Sequence, residues 1–174
     1  MKKILIIGSN FGSKIYLKII KKIYEKSIIH ICSPNIKGKK LFGKNIYKYN
    51  NFNLLIKIND YDLIICTTTP RVQYKFLKKF IPLKKKSTKL MLEKPLTHNY
   101  KSSDEIYKLL IKNKFIFNQN FVFPKITNWL TFYNNLKKFN LKKISYDWEF
   151  EQAYFKNKIK TWKIRNKDGG GMIQ

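Results

Sequence analysis

Short apolar runs of strand length alternate with stretches of helical period along most of this chain. The runs are Lys3–Ile7, Ser27–Cys32, Leu63–Cys66, Lys89–Leu92 and Phe115–Phe117, with a weaker one near Ile46. Runs this short and nearly unbroken are typical of parallel strands buried on both faces. Because helical stretches separate them, the pattern predicts an α/β fold with a doubly wound parallel sheet.

Three of the intervening stretches carry specific helix signals. Ile15, Ile19 and Ile23 recur every four residues among lysines, which predicts an amphipathic helix with these isoleucines on its buried side. The acidic stretch Ser103–Glu105 predicts the start of a second helix. A third helix is predicted over Lys125–Lys138.

The pattern changes after Asn120. Apolar and mostly acidic residues alternate from Ile144 to Glu151, which predicts a half-buried strand with an aromatic face. One strand is marginally stable in water, and residues 152–174 carry no further strand signal. We therefore predict a domain over residues 1–118 and the beginning of an α+β domain over 119–174. Either the chain is the front part of a longer protein, or self-association through this sheet, in a homo-oligomer, covers the aromatic face.

The charge favours a polyanionic partner at first sight. Lys and Arg number 37 against 10 Asp and Glu, a formal charge of +27, and a basic nucleic-acid-binding module is one interpretation. The lysines are spread over the whole chain, however, and Asp147, Glu149 and Glu151 alternate with the aromatic residues and repel phosphate. Solvated lysines on exposed faces are the favoured interpretation.

Targeting and metal signals are weak. The first apolar run stops at Gly8, and no later one approaches the roughly 18 residues of a membrane span, so we expect a soluble cytoplasmic protein without membrane contact. Cys32 and Cys66 form no CxxC pair, and neither His30 nor His98 stands at metal-ligand spacing from them. We expect reduced thiols and no metal site.

The segment Gly8–Ser13 directly follows the first strand and opens the first helix. In a dinucleotide-binding turn, three glycines make the bend, admit the pyrophosphate and let the helix pack on the strand. Here Gly8 keeps the first place, Asn10 and Ser13 occupy the other two, and Gly12 lies one position early. Asn tolerates left-handed backbone and Ser is small, so the turn still predicts a phosphate site at a helix N-terminus. A ligand-free turn is the alternative.

The end of the second strand bears on the choice of cofactor. An acidic residue there would bind the adenine ribose of NAD. The chain instead has Ser33, with Lys37, Lys39 and Lys40 close behind, which favours the 2′-phosphate of NADP.

Two further loops follow strand ends, where open α/β sheets bind their ligands. Thr67-Thr68-Thr69-Pro70 follows the fourth strand, and Glu93-Lys94-Pro95 follows the fifth. A lysine held beside a nicotinamide and shielded from water can pass a proton to or from a substrate oxygen. A surface lysine is the alternative for Lys94.

This combination resembles the Gfo/Idh/MocA family of NAD(P)-dependent oxidoreductases, which act mostly on sugars, cyclitols and nucleotide sugars. The resemblance rests on the glycine turn, Thr69-Pro70, Glu93-Lys94-Pro95-Leu96, Trp162 and Gly169–Gly171. It implies an N-terminal Rossmann domain and a substrate domain whose open sheet often forms a dimer interface. It also implies a catalytic role for Lys94. The residues that it implies around the cofactor are Gly8, Asn10, Phe11, Gly12, Ser33, Thr68, Thr69, Pro70, Glu93, Lys94 and Pro95.

Several residues depart from the family pattern. Gln73 stands where the family often has a His, and the sequence ends at Gln174, before the Asp and His that face the substrate in relatives. We therefore expect a truncated chain. The Gly8–Gly12 turn with Tyr16-Leu17 is also similar to the thiazolinyl imine reductases, a substrate alternative within the same superfamily.

The leading hypothesis is an NAD(P)-dependent oxidoreductase, or its N-terminal part, that transfers hydride between a nicotinamide and a sugar-like alcohol or ketone. A second hypothesis is a catalytically inactive truncated homologue that acts as a binding or dimerisation partner.

Overall fold

A computed structural model describes residues 1–34, 36, 44–83, 85, 87–120, 127–139 and 165. The expected strand at residues 144–151, the triple glycine and the lysines at positions 37, 39 and 40 lie outside the described residues. The remaining predicted strands and helices can be compared with the structure directly.

Six parallel strands form one sheet. They are β1 (Lys3–Ile7), β2 (Ile28–Cys32), β3 (Ile46–Tyr49), β4 (Leu63–Cys66), β5 (Lys89–Leu92) and β6 (Ile116–Gln119). Their order across the sheet is β3-β2-β1-β4-β5-β6, the doubly wound arrangement of a dinucleotide-binding fold. This confirms the predicted fold class, including the weak third strand, and β6 extends one residue past the predicted domain boundary at 118.

The register brings the carboxyl ends of the strands to one edge of the sheet. Ile7 pairs with Cys32 on one side and with Cys66 on the other, so β1, β2 and β4 end level. On the far side, Leu92 at the end of β5 pairs with Gln119 at the end of β6. Loops that follow these strands therefore emerge together at this edge.

Helices cover both faces of the sheet. They are α1 (Leu17–Ile23), α2 (Phe52–Ile58), α3 (Pro70–Phe80) and α4 (Tyr100–Lys112), and a further helix, α5 (Thr127–Leu136), follows β6. Side chains of α2, α3 and α4 pack with Leu5, Ile64 and Leu92 on one face, and those of α1 pack with Ile6 and Ile31 on the other. The central strands are thus buried on both sides, as their unbroken apolar sequences predict.

The first helix corrects one prediction. Ile15, Ile19 and Ile23 are exposed, at 40%, 46% and 61%, and the residues that pack on the sheet are Tyr16, Leu17 and Ile20. A π-helical turn over Gly12–Tyr16 precedes α1 and accommodates an extra residue, which changes the face that the following turns present. Tyr16, Leu17 and Ile20 form a second apolar stripe on this helix, and the spacing of the isoleucines alone did not determine which stripe faces the sheet.

The fourth helix begins earlier than predicted. It starts at Tyr100, and the side chain of Asn99 accepts a hydrogen bond from the Ser102 backbone N–H at 2.8 Å. The acidic residues at 104 and 105 therefore lie in the second turn. The Asn cap satisfies a free helical N–H directly, and this requirement outweighs the preference for acid in the first turn.

Candidate functional site

The carboxyl edge of the sheet carries nearly all of the residues that the sequence singled out. Gly8 follows β1, Ser33 follows β2, the loop that leads to Thr68 and Thr69 follows β4, and Glu93 follows β5. Asn120, which the sequence did not single out, follows β6 at the same edge. In open α/β sheets ligands bind outside this edge, at the point where the strand order reverses. Here the reversal lies between β1 and β4, next to the glycine turn.

The glycine turn requires its two glycines for different reasons. Gly8 has a φ of 111°, a backbone conformation that side chains rarely tolerate, and a Cβ there would lie 2.6 Å from the Thr67 hydroxyl oxygen. A Cβ on Gly12 would lie 2.7 Å from both Ile6 Cγ2 and Thr67 Oγ1. Gly12 therefore allows the close helix–strand contact expected of the third glycine in such a turn, although it comes one position early.

Asn10 and Phe11 are exposed at the rim of this turn, whereas Gly12 is buried beneath them. The Asn10 carbonyl accepts a hydrogen bond from the Lys14 N–H at 3.1 Å, so helical backbone begins immediately after Asn10. The positive end of the helix thus faces the sheet edge, as a diphosphate site requires.

Thr67 has a structural role that the sequence did not reveal. Its hydroxyl donates to the Ile7 carbonyl at 3.0 Å and lies 3.3 Å from the Gly8 carbonyl, which ties the end of β4 to the turn after β1. Its position as the first of three consecutive threonines was the available signal. Thr68 and Thr69 follow it at the same edge, half-buried.

The Thr69-Pro70 pair starts α3. Thr69 is the cap residue with extended backbone, and Pro70 occupies the first helical position, where its missing N–H costs nothing. One turn later, Gln73 is fully buried. Its Nε2 donates to the carbonyls of Glu93 and Leu96, both at 2.9 Å, and its Oε1 accepts from the Glu93 N–H at 2.9 Å.

Gln73 thus holds the main chain of the loop that contains Lys94. The residue stands where the resemblance led us to expect a His, and its amide supplies the two donors and one acceptor that this loop uses. The peptide bond between Lys94 and Pro95 is cis, and both residues are exposed at the rim. The side chain of Lys94 is therefore accessible from the edge where ligands bind.

The Glu93 side chain joins three elements. Its Oε1 accepts hydrogen bonds from Tyr16 Oη and Asn120 Nδ2, both at 3.2 Å, and Asn120 Nδ2 also reaches Tyr16 Oη at 3.1 Å. Burial, the negative charge of Glu93 and the hydrogen bond to it raise the pKa of Tyr16 to about 12. Tyr16 is therefore a neutral hydrogen-bond donor at physiological pH.

Ser33 lies at the end of β2 as predicted, but it is buried. Its hydroxyl oxygen accepts a hydrogen bond from the Ser9 hydroxyl at 3.0 Å, which ties the second strand to the glycine turn. No carboxylate follows β2 among the described residues 33, 34 and 36. The preference for NADP over NAD stays a prediction.

The residues at this edge fit a dinucleotide. The turn has no Cβ at Gly8 or Gly12, a helix N-terminus faces outward, and a lysine follows β5 on the far side of the reversal point. The hydrogen bond between Tyr16, four residues past Gly12, and Glu93 places the turn and the lysine loop next to each other.

A sheet with this strand order and this edge defines the dinucleotide-binding domain of the Rossmann class. A model of the Gfo/Idh/MocA family, described as an oxidoreductase family with an NAD-binding Rossmann fold, matches residues 2–121. The chain belongs to this family.

Solved structures share the fold. The WlbA dehydrogenase from Chromobacterium violaceum, in complex with NADH and UDP-GlcNAcA, superposes with a TM-score of 0.62 at 12% identity, covering 79% of this chain and 40% of that one. Scyllo-inositol dehydrogenase from Lactobacillus casei, with bound NAD(H) and scyllo-inositol, gives 0.62 at 12% identity over 79% and 41%. The WlbA dehydrogenase from Bordetella pertussis, also with NADH and UDP-GlcNAcA, gives 0.61 at 10% identity over 78% and 42%.

The chain thus spans about two fifths of the length of these structures. No curated protein matches it in sequence. In the part of the chain that the structure describes, no helix is long and apolar enough to cross a membrane, and no group of three or more His, Cys, Asp or Glu side chains is placed to hold a metal ion.

Proposed function

We propose that this chain binds a nicotinamide dinucleotide across the carboxyl edge of its sheet and forms the cofactor domain of an oxidoreductase that acts on a sugar-like alcohol or ketone. Family membership supports the oxidoreductase class and NAD as the cofactor. The substrate class is supported by the nucleotide sugar and the cyclitol bound in two of the similar structures.

One observation carries the proposal: the helix that follows the glycine turn contacts the loop that carries Lys94, through Tyr16 and Glu93. A dinucleotide bound with its diphosphate at residues 8–12 would extend across the reversal point toward this loop. The two sites predicted separately from the sequence therefore share one edge and one contact.

Each residue has a distinct role in this proposal. The backbone from Gly8 to Gly12 holds the diphosphate at the helix N-terminus, and Thr68, Thr69 and Pro70 line the middle of the cleft. Lys94 Nζ holds or releases the proton of the substrate oxygen. The bound nicotinamide supplies the hydride chemistry, while the protein supplies orientation and the proton path.

The direct test is calorimetric titration of the chain with NADH. Asn10→Asp places a carboxylate at the exposed rim of the turn and is expected to weaken binding about tenfold, because it repels the diphosphate. Asn45→Asp makes the same change just before β3, at the opposite edge of the sheet, and is the matched control. Native chain that fails to bind NADH, or equal effects of the two variants, would contradict the proposal.

A further inference from the structure

Three side chains from three different elements meet at Glu93. Tyr16 comes from the π-helical turn before α1, Glu93 follows β5, and Asn120 follows β6. All three pairwise hydrogen bonds among them are formed, at 3.1 to 3.2 Å. The cluster is also tied to the sheet, because the Asn120 N–H donates to the Leu92 carbonyl at 2.7 Å.

We propose that Tyr16 and Asn120 are positioning residues, which fix the Glu93-Lys94 loop in the orientation that the nicotinamide half of the dinucleotide requires. This inference rests on the proposed function. It assigns a role to two residues that the glycine turn and the Glu-Lys-Pro tripeptide do not include.

The loop is held by two independent sets of hydrogen bonds. The side chain of Gln73, which belongs to α3, binds the main-chain N–H and carbonyl of Glu93. Tyr16 and Asn120 both donate hydrogen bonds to the same carboxylate oxygen of Glu93, Oε1. Gln73 fixes the path of the backbone, whereas the carboxylate contacts fix how the loop is placed against the helix that leads from the glycine turn.

The position of Tyr16 makes it suited to this coupling. Tyr16 is only 8% exposed, and its ring packs edge-to-face on Phe11, with 5.7 Å between centroids. Phe11 is part of the turn itself. One aromatic side chain therefore contacts both the predicted diphosphate turn and the carboxylate next to Lys94, and a hydrogen bond to a charged acceptor is stronger than one between neutral groups.

The cluster lies on one side of the proposed ligand. Its residues come from segments that follow β1, β5 and β6, whereas the adenine ribose of a bound dinucleotide would lie at the end of β2. Loss of the cluster should therefore affect ligands that have a nicotinamide ring and spare ligands that end at the second ribose. NADH and ADP-ribose form such a pair.

The experiment compares the affinities of the native chain and Tyr16→Phe for NADH and for ADP-ribose by calorimetry. The variant keeps the ring that packs on Phe11 and removes only the hydroxyl. We expect NADH to bind about fivefold more weakly and ADP-ribose to bind within about twofold of the native affinity, because one charge-assisted hydrogen bond is lost and the loop relaxes. Asn120→Ala is likewise expected to weaken the binding of NADH and to leave the binding of ADP-ribose nearly unchanged.

Tyr74→Phe is the matched control. Tyr74 Oη also donates to a carboxylate, Glu105 Oε2, at 3.2 Å, but this pair joins α3 to α4 and does not involve the Glu93 side chain. This variant should leave both affinities unchanged. Retained ADP-ribose binding also shows that Tyr16→Phe is folded.

The outcomes separate the two proposals. If the native chain binds NADH, two results for Tyr16→Phe would overturn the positioning role. One is an equal loss of affinity for NADH and ADP-ribose, and the other is an unchanged affinity for NADH. A native chain that binds neither ligand would overturn the proposed function and this inference with it.

Discussion

Gly12 lies so close to Thr67 that a Cβ atom at position 12 would sit 2.7 Å from the Thr67 hydroxyl oxygen. The same Cβ would meet Ile6 Cγ2 at 2.7 Å, and Ile6 is fully buried in the central strand β1, so this neighbour cannot move away easily. The helix after the glycine turn can approach the sheet this closely only with glycine at position 12.

Gly12→Ala is therefore expected to reduce the free energy of unfolding by about 1–3 kcal/mol, the usual range for overpacking a tight contact. Urea denaturation followed by circular dichroism measures the change. Asn10→Ala, two residues earlier at an exposed position, is the control and should have a clearly smaller effect. A fully stable Gly12→Ala variant would show that the helix does not need this close approach.

The second prediction concerns the buried side chain of Gln73 and its hydrogen bonds to the loop that contains Lys94. Replacement of Gln73 by Leu puts an apolar side chain of similar size in its place but leaves the N–H and carbonyl of Glu93 and the Leu96 carbonyl without this partner. We expect a loss of about 2–4 kcal/mol in the free energy of unfolding, because unsatisfied buried polar groups keep their full desolvation cost. The same denaturation assay checks it, with Gln119→Leu on the edge strand β6 as the comparison.

The buried His30 is expected to make the free energy of unfolding depend on pH. Its ring is buried among three tyrosines, and its Nδ1 lies 2.8 Å from Tyr61 Oη. Burial, and secondarily the charge of Lys3, lowers the pKa of His30 below its ordinary value of 6.5. As the pH falls through the unfolded-state pKa, the unfolded chain takes up a proton that the folded chain does not, so folding stability decreases.

The expected result is a lower free energy of unfolding at pH 5.5 than at pH 7.5. His30→Gln removes the titrating group and should reduce this difference, even though it changes the stability at both pH values. Urea denaturation of both proteins at the two pH values is the measurement. An identical pH dependence in the variant would assign the effect to other groups.

The sequence predicted the sheet and the edge well because both depend on local patterns. Buried parallel strands such as β1 and β4 are short apolar runs, and the residues after them must lie at one edge once the strands are parallel. The order of residues along the chain was therefore enough to place Gly8 and Lys94 at the same edge.

What the sequence did not predict depends on contacts between distant residues. The bond from Tyr16 to Glu93 spans 77 positions, and that from Asn120 to Tyr16 spans 104. The local spacing of apolar residues carries no information about contacts between residues so far apart in the sequence. The exposure of Ile15 was missed for another reason, since the helix carries two apolar stripes and their spacing does not show which one faces the sheet.

The preference of the chain for NADPH or NADH can be tested by titration. Ser33 offers no carboxylate to the two hydroxyls of an adenine ribose, and the lysines at 37, 39 and 40 follow within seven residues. We expect NADPH to bind more tightly than NADH, with a difference that shrinks as salt is added, because a charge contact to the 2′-phosphate is screened. Parallel titrations at low and high salt decide this, and a clear preference for NADH would refute it.

Lys94 is the residue proposed to transfer a proton to or from the substrate oxygen. It is exposed at the carboxyl edge, directly after a glutamate whose main chain and side chain are both held in place, so its backbone is fixed while its side chain can reach a ligand. In a protein that contains this chain together with a substrate domain, Lys94→Ala should lower kcat by about 10²–10⁴-fold, the usual contribution of a general acid or base. NADH affinity should stay within about twofold, because the substitution leaves the diphosphate contacts at residues 8–12 and the hydrogen bonds that hold the loop main chain in place. Lys89→Ala, at the opposite end of the same strand and also exposed, controls for the loss of one positive charge. An unchanged kcat in Lys94→Ala would remove this lysine from the proton path, whereas a parallel loss of NADH binding would assign it to cofactor binding instead.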